Sequence, residues 1–99
     1  MNGACRNVRT KEYMKMLARL PLRVQNLAAQ AFEHFRNNPD YPSLRRHQLE
    51  DNDKGQHHAG SYSVSVTKQY RALYFEDGGT IVWYWIGGHA EYDTFTGGK

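Results

Sequence analysis

Residues 61–88 read SYSVSVTKQYRALYFEDGGTIVWYWIGG, and this stretch decides the fold. Ser61–Val66 alternates strictly, with Tyr62, Val64 and Val66 on one side and three serines on the other, the period-two pattern of a half-buried strand. Tyr70–Phe75 and Ile81–Ile86 are aromatic and β-branched, and they flank Glu76-Asp77-Gly78-Gly79. Asp-Gly-Gly between two such runs supplies the positive-φ positions that a tight hairpin needs. An antiparallel meander follows from these residues alone.

The residues before this stretch are helical. Thr10 suits an N-cap, and Tyr13, Met14, Leu17 and Leu20 recur at spacings of three and four, which predicts a first helix of about ten residues. Pro21 suits the first turn of a second helix, whose apolar set Val24, Leu27, Ala28, Ala31, Phe32 and Phe35 holds the 3.6-residue period up to Asn37. Asn37-Asn38-Pro39 then stops it. The helices are joined at Leu20 by almost nothing, so they form a hairpin whose apolar faces need a flat apolar surface to cover them.

Three segments are less regular. Ser43–Leu49 reads as a further short strand, since Leu44 and Leu49 flank a basic core after the Pro42 break, and Glu50–Gly60 is a polar loop expected to be mobile. Residues 1–9 are readable as a frayed end or as one short strand at Cys5–Val8, and the polar end 96–99 is expected to be loose. Gly87 to Phe95 allows one or two helical turns. The expectation is a single α+β domain over 1–99: two N-terminal helices on a three- to four-stranded twisted antiparallel sheet, with a short C-terminal helical segment.

Composition narrows the function classes. The net charge is +3, but residues 1–50 carry nine Lys/Arg against four Asp/Glu, giving +5, while residues 51–99 carry four against six, giving −2. The basic half is where an anionic partner would dock. Cys5 is the one cysteine, so an internal disulfide and a cysteine-based zinc site are excluded by count, and a reducing compartment is the simplest setting. Met1–Arg9 has no apolar signal region and no window approaches the ~20 apolar residues of a membrane span, so the expected location is the cytoplasm.

Several side chains carry possible chemistry. Arg45-Arg46-His47 reads either as a charged edge strand that discourages sheet pairing or as a phosphate-binding group, to which Lys68 would add. Adjacent strand residues point to opposite faces, so at most two of the three can share a ligand. Arg71 lies inside an aromatic strand and needs either solvent or a partner for its planar fork, an acid such as Glu76 or Asp77 or else a phosphate. His89 follows a Gly-Gly break with Tyr92 three residues on; the two rings share a helical face, and the pair either caps and packs the helix or moves a proton. His57-His58 lacks further ligands at metal spacing and reads as a solvated loop, and His34 as a boundary residue of the long helix. No Ser/His/Asp order, glycine-rich phosphate loop or isolated carboxylate pair is present, and neither a metal nor a cofactor is expected.

Taken together, Tyr62–Val66, Tyr70–Tyr74 and the string Trp83-Tyr84-Trp85-Ile86-Gly87-Gly88-His89-Ala90-Glu91-Tyr92-Asp93 resemble the C-terminal half of RelE/ParE-superfamily toxins of type II toxin-antitoxin systems. Tyr41-Pro42-Ser43-Leu44-Arg45 is similar to that family's crossing from helix to sheet, and the likeness spans residues 10–95. The resemblance implies a toxin neutralised by a cognate antitoxin that wraps it and could join it into an oligomer. For RelE-like members it implies ribosome-dependent, metal-independent endoribonuclease action on mRNA, which inhibits translation. Arg71 then matches the family's arginine as phosphate clamp, His89 a proton-transferring acid or base, and Tyr92 a base or positioning group. One departure is plain: Ser63 and Ser65 stand where many relatives carry a basic residue. The same resemblance admits a different class, a ParE-like gyrase inhibitor or a catalytically inactive antitoxin-binding module.

Overall fold

In chain order the elements are β1 (Arg6–Arg9), α1 (Lys11–Ala18), α2 (Leu22–Asn37), a 3-10 turn (Pro42–Leu44), β2 (His47–Gln48), β3 (Tyr62–Ser65), β4 (Tyr70–Asp77), β5 (Thr80–Gly88) and α3 (His89–Phe95), in a computed structural model that describes residues 6–98. The strands form one sheet in the order β1-β5-β4-β3-β2. This is the α+β architecture expected, with one strand more. The additional strand is β1, which runs parallel to β5, so the sheet is mixed and only its β5-to-β2 part is antiparallel. Of the strand expected at Cys5–Val8, Cys5 lies outside the described residues.

Local signals act where they were read. Thr10 Oγ1 accepts the Tyr13 amide at 3.0 Å and starts α1. Gly78 and Gly79 take φ values of 56° and 85°, the left-handed pair that closes a two-residue hairpin without splaying its strands. Ser43–Leu49 is mostly not a strand. Pro42 opens a 3-10 turn, buried Leu44 plugs the core, and Arg45 takes φ 48°, which leaves only His47–Gln48 paired with β3.

One face of the sheet is covered by the helices. Phe35 meets Trp83 at 4.9 Å and Tyr74 at 5.1 Å, both edge-on, and Tyr62 stacks on Tyr74 at 5.1 Å. Such pairs add about 0.5–1.5 kcal/mol each beyond their burial. On α1, Met14 points to solvent and Met16 packs inward in its place, because the helix sits on β5 through Tyr13 and the side of the helix that Met16 shares with Leu20. Tyr13 is buried here, and loss of hydration pushes its phenol up to about 12 even though Arg9 pulls it down.

The other face is covered too, which alternation alone did not predict. Ser61, Ser63 and Ser65 are buried rather than solvent-facing. A bulge makes this possible: Leu73 pairs with Trp85 while Tyr74 pairs with Trp83, so Tyr84 is an extra residue on β5. Tyr84 and Trp85 consequently both reach Phe95 of α3, at 6.3 and 5.1 Å. The loop 50–60 closes over this layer instead of standing free in solvent. The Gln56 amide donates to the Phe95 carbonyl (2.7 Å), Asn52 Nδ2 to the Thr96 carbonyl (3.1 Å) and the His58 amide to Tyr84 Oη (3.0 Å). His57 and His58 are therefore fastened, one by Nε2–H to the Glu50 carbonyl at 3.1 Å, the other against Phe75 and Tyr84.

Candidate functional site

The β3–β4 hairpin builds the site. Thr67 Oγ1 accepts the amides of Gln69 and Tyr70, at 3.0 and 3.2 Å, folding residues 66–70 into a tight turn with Lys68 exposed at its tip. Counting back from that turn pairs Ser65 with Arg71. Between the turn and the 3-10 segment opens a cleft of about 310 Å³ whose polar lining is Ser43, Arg45, Ser65, Thr67, Lys68 and Arg71. Three cations line it, and no carboxylate does.

Arg71 is held from two sides. Its Nη1 donates to Ser65 Oγ at 3.0 Å, and its guanidinium carbon lies 5.4 Å from the centre of the Tyr92 ring, a cation–π contact. Its Nε is buried with no partner. The acids weighed as partners do not reach it: Glu76 sits five residues further along β4, about 17 Å at strand rise. Among the described residues no carboxylate pairs with Arg71. A cation this restrained and this unneutralised suits an anionic ligand.

His89 and Tyr92 lie on α3, which starts at Gly88 without a side-chain cap. His89 is exposed, with Nε2 3.6 Å from Asp93 Oδ2 one turn on, and its ring lies 6.2 Å from that of Tyr92 at an interplanar angle of 18°. Buried Tyr92 thus stands between Arg71 and His89, and packs on Trp85 at 6.3 Å. Gly87 leaves room for the Trp85 ring: a Cβ on it would come within 2.8 Å of that ring.

The basic triplet is split. Arg45 enters the cleft because its left-handed backbone departs from the strand path, a conformation costing about 1–2 kcal/mol for a residue with a Cβ. Arg46 turns to the helix-covered face, where Nη2 donates to Asp40 Oδ1 (2.8 Å) and Nη1 to Tyr74 Oη (3.2 Å) over the Tyr62 ring. The Asp40 bond leads the causes that push its pKa up, and burial raises the Tyr74 phenol despite Arg46. His47 is exposed, bonds the Arg45 carbonyl at 3.1 Å and does not line the cleft. Of the seven residues singled out in the sequence, Arg45, Lys68 and Arg71 line the cleft, Tyr92 lies against Arg71, and His89 adjoins Tyr92 without lining the cleft; Arg46 and His47 leave it. Ser43, Ser65 and Thr67 were not read as site residues, although the Ser65–Arg71 pairing follows from the hairpin count.

The model of the ParE-like toxin domain family matches residues 22–94. This chain belongs to that family. The toxin domain's fold is shared by solved structures of low sequence identity: the RelE–RelB complex of Pyrococcus horikoshii (16% identity, TM-score 0.65, covering 86% of this chain and 94% of that one), the RelBE2 complex of Mycobacterium tuberculosis (22%, 0.64, 85% and 96%) and the YoeB/ParE toxin of Agrobacterium tumefaciens (16%, 0.64, 85% and 98%). No curated protein matches the toxin domain's sequence. Among its described residues no helix is long and apolar enough to cross a membrane, and no group of three or more His, Cys, Asp or Glu side chains is placed to hold a metal ion.

Proposed function

We propose that this chain is the toxin of a toxin-antitoxin pair and cleaves mRNA on the ribosome, in the cytoplasm, without a metal, under the control of a cognate antitoxin. The observation that carries the reading is the Arg71 guanidinium, stacked on Tyr92 and without a carboxylate, in a cleft shared with Arg45 and Lys68. In cleavage through the 2′-hydroxyl, a base removes the 2′ proton, O2′ attacks phosphorus, the bond to O5′ breaks, and an acid protonates the departing oxygen. The products are a 2′,3′-cyclic phosphate and a 5′-hydroxyl. Arg71 would stabilise the charge that grows on the phosphate oxygens. His89 would serve as acid or base and Tyr92 as base or positioning group, Tyr92 lying against the Arg71 guanidinium and His89 beside Tyr92 on α3. Arg45 and Lys68 would hold the flanking phosphates.

A protein partner is supported by two of the similar structures, which are toxin–antitoxin complexes. A second reading, a ParE-like toxin that acts by protein contact, or an inactive antitoxin-binding module, draws support from Ser63 and Ser65, which leave that strand without a cation. One experiment separates the readings: express the chain and Arg71→Ala in bacteria and map the 5′ ends of cellular mRNA. New ends inside translated codons, lost in the variant, support cleavage. Growth arrest without new ends points to a protein target, and no arrest under verified expression to the inactive module.

A further inference from the structure

A second donor-lined concavity lies at the opposite edge of the sheet. It measures about 390 Å³ and is formed by Arg6, Asn7 and Arg9 of β1 with Phe32 and Arg36 of α2. The sheet order puts β1 and β3 three strands apart, about 14 Å across the sheet before any offset along the strands, so one phosphate cannot reach both sites.

The residues of this concavity are preset as donors. Arg9 sits over the Phe32 ring, its guanidinium carbon 4.5 Å from the centre, and Arg36 approaches the same ring at 6.0 Å. A guanidinium held by its face keeps its N–H bonds in plane and free for an acceptor. Asn7 Oδ1 accepts the Trp83 indole N–H at 2.9 Å. Indole nitrogen only donates, so this bond fixes the amide orientation and leaves the Asn7 NH2 as a donor. Among the described residues the one carboxylate that pairs with these arginines is Glu33, which takes a single nitrogen of Arg36 at 3.0 Å, and both side chains are more than half exposed. Three arginines therefore line the concavity, two of them over one ring, and among the described residues one acid pairs with them.

We infer that this edge is a second RNA site, which grips the phosphodiester backbone of a folded or single-stranded RNA without reading its sequence. A carboxylate offers two oxygens to one fork, whereas successive phosphates offer acceptors to several forks at once, and three arginines lining one concavity, two of them over the same ring, match the latter. The inference rests on RNA as the toxin's ligand class, and it concerns binding only, so it can fail or stand apart from cleavage.

The test is binding of a short unstructured oligoribonucleotide, 2′-O-methylated so that it cannot be cut, measured against salt concentration. The variant Arg6→Gln/Arg9→Gln/Arg36→Gln is expected to bind at least about tenfold more weakly, with the slope of log K against log salt falling by about 2, roughly 0.7 per lost phosphate contact. Arg6→Gln alone, which disturbs no packing on Phe32, should lower the slope by about 0.7, and keeps the test open should the triple variant melt early. Unchanged affinity and slope would overturn the inference. So would a loss seen only with polyglutamate as the probe, which would make the edge a surface for an acidic protein segment. RNA binding that depends on this edge, in a chain whose Arg71→Ala variant leaves mRNA ends unaltered, would sink the cleavage reading and leave this one intact.

Discussion

Arg46 and Arg71 sit on opposite faces of one sheet in nearly the same cradle. Each guanidinium lies 5.4 Å from a tyrosine ring, Tyr62 for Arg46 and Tyr92 for Arg71, and each buries an Nε that has no partner. They differ in what answers the charge. Arg46 has the Asp40 carboxylate at 2.8 Å and the Tyr74 hydroxyl at 3.2 Å, while Arg71 has only the Ser65 hydroxyl at 3.0 Å. An aromatic cradle alone does not mark an arginine as structural or functional; its counter-ion does. Arg46 has its anion within the fold, and Arg71 is left to take one from a ligand.

The largest effect expected from this difference is on cleavage. Arg71→Ala should lower mRNA cleavage about 100-fold or more, the scale of losing one transition-state donor, while the thermal midpoint changes little. Arg46→Ala should do the reverse. It strands the buried Tyr74 hydroxyl, and the unfolding free energy in urea should fall by about 2 kcal/mol with cleavage preserved, most of the loss coming from Tyr74 because the Asp40 side chain is 79% exposed. If Arg46→Ala abolished cleavage at unchanged stability, the division between the two arginines would be wrong.

Alkaline pH loads the helix-covered face by another route. Tyr13 is protonated up to about pH 12 in the fold but only to about pH 10 when unfolded, because burial disfavours the phenolate. A folded pKa above the unfolded one means that this stabilisation is complete below pH 10. It is lost as pH rises toward 12, at up to about 1.4 kcal/mol per unit. Tyr13→Phe should flatten this part of the curve in urea melts at pH 9 to 12. Equal slopes in the two proteins would show that other groups carry the alkaline loss.

The same contrast explains what could be read in advance. The meander, the Asp-Gly-Gly turn, the Thr10 cap and the long helix were legible because each depends on residues within one turn or one hairpin. β1 was legible only as an alternative to a frayed end, since Arg6-Asn-Val-Arg9 has no apolar period and holds its place by pairing with a strand at the far end of the chain. Serine burial was hidden for a related reason: Ser61 is covered by the polar loop at His58 and by Tyr84, and Ser65 by the Arg71 side chain, none of which leaves a periodic trace. At the candidate site, the shared helical face of His89 and Tyr92 was legible from their spacing, and Arg71 stood out by its type inside an aromatic strand. That Arg45 and Arg46 part was legible from alternation, but which of them enters the cleft was not, because it follows from a left-handed backbone at Arg45 with no glycine to announce it.

The two inner serines give the smallest and most discriminating comparison. Ser63 and Ser65 point to the same face and are both buried, but Ser65 Oγ accepts from Arg71 while Ser63 Oγ has no partner. Removing an unpartnered buried hydroxyl takes away a desolvation penalty, so Ser63→Ala should leave stability unchanged or raise it by up to about 1 kcal/mol, with cleavage unaffected. Ser65→Ala removes an acceptor from a charged donor and should lower stability by about 0.5–1 kcal/mol and cleavage a few-fold, because Arg71 then keeps only the Tyr92 ring to direct it. Paired urea melts and cleavage assays on the two variants read this directly. Equal behaviour would mean that the Ser65 bond does not orient Arg71, and that Tyr92 and the cleft walls set its position without it.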